Sequence, residues 1–220
     1  MIQHKHPEGV RIHPTAMIED EVRIGARTSI WDNVHIRHHA VIGEQCIVGE
    51  KSYIAYDVVI GNRVKINAFV YICAGVTIED GVMLAAGTIF TNDRFPRATT
   101  PDLRELRDSG PDEHTLLTHV KAGASIGAGA IVGCNLTVGR FAMVGMGTVV
   151  TKSVPDYYLV VGQPARPVGI VCKCGPLVHR FTADPSQLTA DLACAECGER
   201  YRVRAGAVSA LSDAPELHGG

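Results

Sequence analysis

The residues best suited to chemistry in this chain are its cysteines and histidines. Near the end, Cys172-Lys-Cys174-Gly is followed after nineteen residues by Cys194-Ala-Glu-Cys197-Gly. Two close thiol pairs at that separation suit tetrahedral coordination of zinc by four thiolates. Reduced thiols in a strand pair, or a redox couple, are the alternatives, and the first pair is C-x-C rather than the commoner C-x-x-C. Ten histidines are scattered through the chain. His35 closes a W-x-x-x-H phrase, His38 and His39 read as surface or interface residues, and His114 and His119 stand in an H-x4-H spacing. Seven cysteines, an odd number, behind a start with no apolar export signal favour reduced thiols or a metal over disulfides.

These groups need a scaffold, and composition narrows it. The 220 residues carry a net charge of −2, 46% apolar and only 5% aromatic residues, and 23 glycines. A near-neutral chain with few rings lacks the basic field and stacking platforms of a nucleic-acid binder. No run of about 18 apolar residues suggests a membrane span. The chain reads as soluble and cytoplasmic.

The glycines and branched aliphatics are organised by a period of six. Steps of six from Ile12 reach Phe90, and the register resumes from Val120 to Val150; of these twenty slots nineteen are Ile, Val or Leu. Small or aliphatic residues recur four positions after every slot except Phe90, where Arg94 stands as the register breaks. Neither a helix nor an ordinary strand keeps such a period. One short strand plus one corner does, with the aliphatic residue inward and glycine or asparagine in the turn. Three sides then close a triangular coil, and coils stack as parallel strands about 4.8 Å apart. The fold predicted is all-β, a left-handed parallel β-helix of hexapeptide repeats, six to seven coils and about 30 Å tall. Residues 1–11 form a lead-in and 12–170 the prism. Residues 91–119 break the register as a projecting arm, within which Pro101 to Asp108 suggests a helical turn. Residues 171–205 form the Cys-rich, zinc-ribbon-like element, and 206–220 read as a frayed tail.

The repeat, H-P-T-A at His13 to Ala16, T-K-S-V-P at Thr151 to Pro155 and V-G-Q-P-A-R at Val161 to Arg166 resemble the CoA-dependent hexapeptide acyltransferases. Ile30 to Ile36 (I-W-D-N-V-H-I) and Phe90 to Arg97 (F-T-N-D-R-F-P-R) are similar, more narrowly, to bacterial nucleotide-sugar N-acyltransferases acting on UDP- or dTDP-linked amino sugars. The resemblance covers residues 12 to 170. It implies acetyl-CoA as cosubstrate, a homotrimer with active sites between prisms, and a place in surface polysaccharide or glycan synthesis. Asn92, from the F-T-N motif, would orient the attacked amine. A turn asparagine is the alternative.

One departure from the family pattern stands at Ala74, eighteen residues before Asn92, where relatives often place a glutamate. Without that carboxylate, either the amine loses its proton unaided or His35 or His119 takes it. Arg94 and Arg97, beside the asparagine, suit a diphosphate or a sugar carboxylate. Lys152 and Arg166 match family positions near CoA phosphates, and Gly145 and Gly147 would let pantetheine pass close to the backbone. Glu79 and Asp80 read as turn caps. O-acetylation or another small-molecule acyl transfer is the main alternative. A non-catalytic scaffold and a γ-carbonic-anhydrase-like zinc enzyme remain further ones, although His114 and His119 lack a third histidine in rung register.

Overall fold

In a computed structural model, which describes residues 7–108, 110, 112 and 114–213, the six-residue period becomes a three-faced parallel β-helix. Its strands are two residues long for the most part, and each aliphatic slot is the last residue of its strand. Face one stacks Arg11–Ile12, Ser29–Ile30, Ile47–Val48, Lys65–Ile66, Met83–Leu84, Ser125–Ile126, Met143–Val144 and Tyr158–Val161. Face two runs from Met17–Ile18 to Val149–Val150, and face three from Arg23–Ile24 to Thr137–Val138. Register partners are eighteen residues apart, as in Lys65 with Met83, so one coil is three hexapeptides. The slot residues from Ile24 onward fill the prism's interior and are nearly all inaccessible, Phe90 included. A core this narrow holds stacked aliphatics and little else, which accounts for the scarcity of rings.

The glycines divide into two kinds, and only one of them serves the corner. The left-handed corner residue stands three positions after the slot at nearly every corner from Glu21 to Gly147. In the lower coils it is seldom glycine: Glu21, Arg27, Asn33, His39, Gln45, Lys51, Asp57, Arg63 and Phe69 all have φ between 53° and 62°. Each such residue costs about 1–2 kcal/mol outside glycine. The corner is held by backbone bonds to the coil below, such as Gln45 N–H to Ala26 O and Phe69 N–H to Glu50 O. The glycines directly after the slot are needed for a different reason. A Cβ on Gly43 would lie 2.5 Å from Gly61 O, and one on Gly25 would lie 2.5 Å from Gly43 C.

The stack is taller than the periodic count. Face one has an eighth parallel rung, Tyr158–Val161, which pairs Met143 with Leu159 at a spacing of sixteen. The chain is two residues short between Val150, still eighteen from Val132, and Val154, which bridges Val138 at sixteen, so this rung falls outside the six-residue period. Two antiparallel strands, Arg166–Val171 and Leu177–Arg180, then extend face one. A separate antiparallel sheet follows, made of Ala190–Ala193, Arg200–Arg204 and Ala207–Ala210.

Two local expectations need correcting. Residues 206–213 are not frayed: Ala207–Ala210 is paired, Leu211–Asp213 forms a 3-10 turn, and Asp213 accepts a hydrogen bond from Tyr157 Oη at 2.8 Å. Residues 214–220 lie outside the described residues. Pro101 to Asp108 forms turns, not a helix. Leu103 has φ 62° and is 80% exposed, and Leu106 is 82% exposed, so no apolar surface rewards a helical turn.

Candidate functional site

The arm leaves the prism at the corner between faces two and three. Across it the register jumps from eighteen to forty-two residues, as in Thr77 with His119 and Ile89 with Ile131. It therefore adds twenty-four residues and disturbs nothing else. Its base closes where Leu116 N–H donates to Asn92 O at 2.9 Å, and the bridges Asp93 with Thr115 and Thr99 with Leu106 fold it into an irregular hairpin. Arg107 braces the arm from within, donating to Asp112 at 2.9 Å.

Asn92 sits at the mouth. It is not in the left-handed region, so corner geometry does not explain its type. Its Nδ2 donates to Ala74 O, one coil below, at 3.1 Å. That bond uses one N–H and leaves the second N–H and Oδ1 for another partner. Two adjoining clefts, of about 360 and 740 Å³, meet at Asn92 and Tyr56. The smaller runs beneath the arm past Arg97 and Arg107. The larger runs down face two past Ala74, Cys73, Tyr71, Tyr53 and Arg37. Burial pushes the Cys73 thiol up to about 12, which keeps it protonated and a poor acyl acceptor.

Coil arithmetic explains the alignment. Positions 38, 56, 74 and 92 stand eighteen residues apart, so His38, Tyr56, Ala74 and Asn92 line one edge of the prism. Cys134 and Lys152 continue that edge above, the latter two rungs or about 10 Å beyond Asn92. His38 stacks on Tyr56 at a centroid distance of 5.4 Å, and Tyr53 stacks on Tyr71 at 5.1 Å. Sequence reasoning missed Tyr53, Tyr56, Tyr71, Arg37 and Glu19. The eighteen-residue spacing that located Ala74 would also have found Tyr56 and the Tyr53–Tyr71 pair.

Glu19 anchors the lower end of the larger cleft. Its carboxylate meets Arg37 Nε at 2.6 Å, His35 Nε2 at 2.8 Å and His38 Nδ1 at 3.1 Å, and accepts from His38 N–H at 3.0 Å. Arg37 above all, with the histidines, holds the Glu19 carboxyl down to about 2 against the opposing effect of burial.

The structure brings Asn92 and Arg97 together and places Lys152 on their edge. It separates the rest within one subunit. His35 is three rungs below Ile89 on face two, about 14 Å along the stack, and is engaged by Glu19. His119 projects from face three, three residues beyond Leu116. Arg94 lies against the Phe95 ring and lines neither cleft. Gly145 and Gly147 occupy the opposite corner, between faces one and two, where Gln163 Nε2 donates to Gly147 O and the strand that follows this turn begins with Arg166. Gly147 has φ 64° and open space around it, a turn requirement; Gly145 makes room for the chain's own next rung, since a Cβ there would meet Val161 at 2.8 Å. Glu79 and Asp80 cap turns, through Ala122 N–H and Asn62 N–H. Among the described residues the four tail cysteines form a cluster able to hold a metal, and His114 and His119 join none.

Residues 21–56 and 57–92 match the bacterial transferase hexapeptide family of six repeats, and residues 39–74 match the hexapeptide repeat of succinyl-transferase. Over 201 residues the chain is 41% identical to the dTDP-3-amino-3,6-dideoxy-alpha-D-galactopyranose 3-N-acetyltransferase of Aneurinibacillus thermoaerophilus, covering 91% of this chain and 94% of that protein. The chain belongs to the hexapeptide-repeat acetyltransferases. Serine acetyltransferase of Escherichia coli K12 is 44% identical to this acetyltransferase over 61 residues, 28% of this chain and 21% of that one. Among solved structures, a point mutant of the Bacillus cereus N-acyltransferase AntD in complex with dTDP and coenzyme A aligns at 23% identity. It covers 73% of this chain and 80% of that one with a TM-score of 0.49. Among the described residues no helix of this acetyltransferase is long and apolar enough to cross a membrane.

Proposed function

We propose that this acetyltransferase moves an acetyl group from acetyl-CoA to the amine of a dTDP-linked amino sugar, in the synthesis of a surface polysaccharide or glycan. The observation that carries the reading is near-full-length similarity to an enzyme named for that reaction. The clefts beside Asn92 supply the matching geometry: an uncharged carboxamide at the mouth, a guanidinium at Arg97 and aromatic rings along the floor. The amine attacks the thioester carbonyl in its neutral form with Asn92 Oδ1 accepting one of its hydrogens. The tetrahedral intermediate collapses to amide and thiolate, and the amine's surplus proton neutralises the departing sulfur. Ala74 leaves the carboxylate slot empty of a base, and the Glu19 contact engages His35, so this route asks least of the chain. A relay through His119, whose ring is exposed on face three, is the second reading. Arg97 contacts the diphosphate, with Arg94 further out along the arm. Lys152, Arg166, Gly145 and Gly147 receive coenzyme A.

Lys152 and the Gly145 corner flank face two on opposite sides, an arrangement that favours a groove shared by neighbouring subunits of a homotrimer. Exposed Met17, Tyr71, Ile89 and Ile131, all on face two, supply apolar surface for such contacts. Acetyl-CoA as donor and seven cysteines without a disulfide fit a cytoplasmic setting. The test is thiol release from acetyl-CoA with dTDP- and UDP-linked 3- and 4-amino sugars. Turnover with a dTDP-3-amino sugar is expected. Failure on every amine, with no coenzyme A binding by calorimetry, overturns the reading.

A further inference from the structure

We infer that Cys172, Cys174, Cys194 and Cys197 form a closed structural zinc site that fastens the C-terminal sheet to the end of the β-helix. The four sulfurs lie within 4.8 Å of one another. Cys174 is 3.3 Å from Cys197 and 3.7 Å from Cys194, and Cys172 is 3.5 Å from Cys197. A tetrahedron of thiolates with zinc–sulfur bonds of about 2.3 Å has edges of about 3.8 Å. No cysteine pair is at bonding distance, and all four thiols are free.

The backbone is shaped as such a site requires. Cys172 and Cys194 each begin a tight turn, closed by Gly175 N–H to Cys172 O at 2.9 Å and Gly198 N–H to Cys194 O at 3.0 Å. Both closing glycines have positive φ, 111° and 76°. This is the physical reason for a glycine after each thiol pair in the sequence. Fully buried Tyr201 donates its hydroxyl to Cys172 Sγ at 3.0 Å while accepting Lys173 N–H at 2.9 Å, a neutral hydrogen bond aimed at a sulfur that would carry charge. The cluster contains neither histidine nor carboxylate, so four thiolates fill a tetrahedral shell and leave no open position for catalysis.

Position supplies the purpose. Cys172 directly follows the strand that extends face one, whereas Cys194 and Cys197 belong to the turn between two strands of the separate sheet. The small core there comprises Tyr157, Ile170, Cys172, Cys194, Tyr201, Val203 and Ala210, two of them ligands. So few apolar groups need a staple to hold their order. Bound zinc joins the two chain segments across that core.

The test uses the full-length protein, purified without added zinc. Elemental mass spectrometry is expected to find about one zinc per chain. Dialysis against a chelator should release it, raise the count of thiols reactive to Ellman's reagent by about four, and lower the melting temperature; zinc chloride alone should restore all three. The double variant C174S/C197S, changing the two exposed sulfurs, should lose the metal. If that variant does not fold, native mass spectrometry of the unaltered protein before and after chelation decides. Less than about 0.2 zinc per chain with these thiols freely reactive, disulfides among them, or iron in place of zinc would each overturn the inference.

Discussion

Replacing Asn92 by alanine separates a catalytic carboxamide from an ornamental one. One N–H of Asn92 is committed to Ala74 O at 3.1 Å, so Oδ1 and the second N–H are what the cleft can use. A hydrogen bond to an amine gaining positive charge is worth about 1.5–3 kcal/mol, which at 1.36 kcal/mol per decade is about a 10- to 150-fold loss. The loss should fall in kcat, because the charge develops in the transition state and not in the bound substrate. Asn92→Asp keeps an acceptor but loses the N–H for Ala74 O, and should fall between alanine and the parent. The assay is steady-state thiol release with the dTDP-amino sugar and acetyl-CoA varied separately, alongside circular dichroism and a thermal melt. An Asn92→Ala enzyme that folds and melts as the parent does, with kcat within about threefold, would refute the assignment.

Arg97→Ala should raise KM for the nucleotide sugar about 5- to 30-fold, the loss of about 1–2 kcal/mol from an exposed charge-assisted contact, with kcat nearly unchanged; an unaltered KM rejects the diphosphate contact. The ion cluster at Glu19 predicts a pH signature. Because its folded pKa is depressed, the cluster's contribution to stability is complete above the ordinary glutamate value of 4.5 and is lost as pH falls toward about 2. The melting-temperature gap between parent and Glu19→Gln should therefore be constant near neutrality and narrow below pH 4.5, and a gap that ignores pH argues against the cluster. Gly43→Ala, whose Cβ would stand 2.5 Å from Gly61 O, should cost about 1–3 kcal/mol in denaturant unfolding, and a neutral result would show that the coils can part at little cost.

The prism was legible because its inward slots repeat without regard to the rest of the chain: Ile24 to Phe90 need only be aliphatic or nearly so to fill the core. The period failed where geometry changed. The segment between Val150 and Val154 is two residues short, which cuts the step to sixteen and hides the rung at Tyr158–Val161. Glycine content misled in one respect, since residues as large as Phe69 and Arg63 take left-handed corners when the coil below supplies the hydrogen bond. At the site, Asn92 and Arg97 stood out by motif. Tyr56 and Arg37 did not, because a single tyrosine or arginine carries no local signal, and only the coil-by-coil alignment shows that they share a cleft. Glu19 was hidden for the same reason: its partners His35, Arg37 and His38 lie a coil above it.

The arm begins and ends at one point of the stack, where Asn92 O meets Leu116 N–H. The prism's coils above and below remain in phase whatever lies between those two residues, so the excursion is mechanically a detachable fitting. Its length and sequence can drift without taxing the core, while its root keeps Asn92 fixed over Ala74. An enzyme built this way can change which acceptor it admits by exchanging the fitting alone, and keep the reacting group where it was.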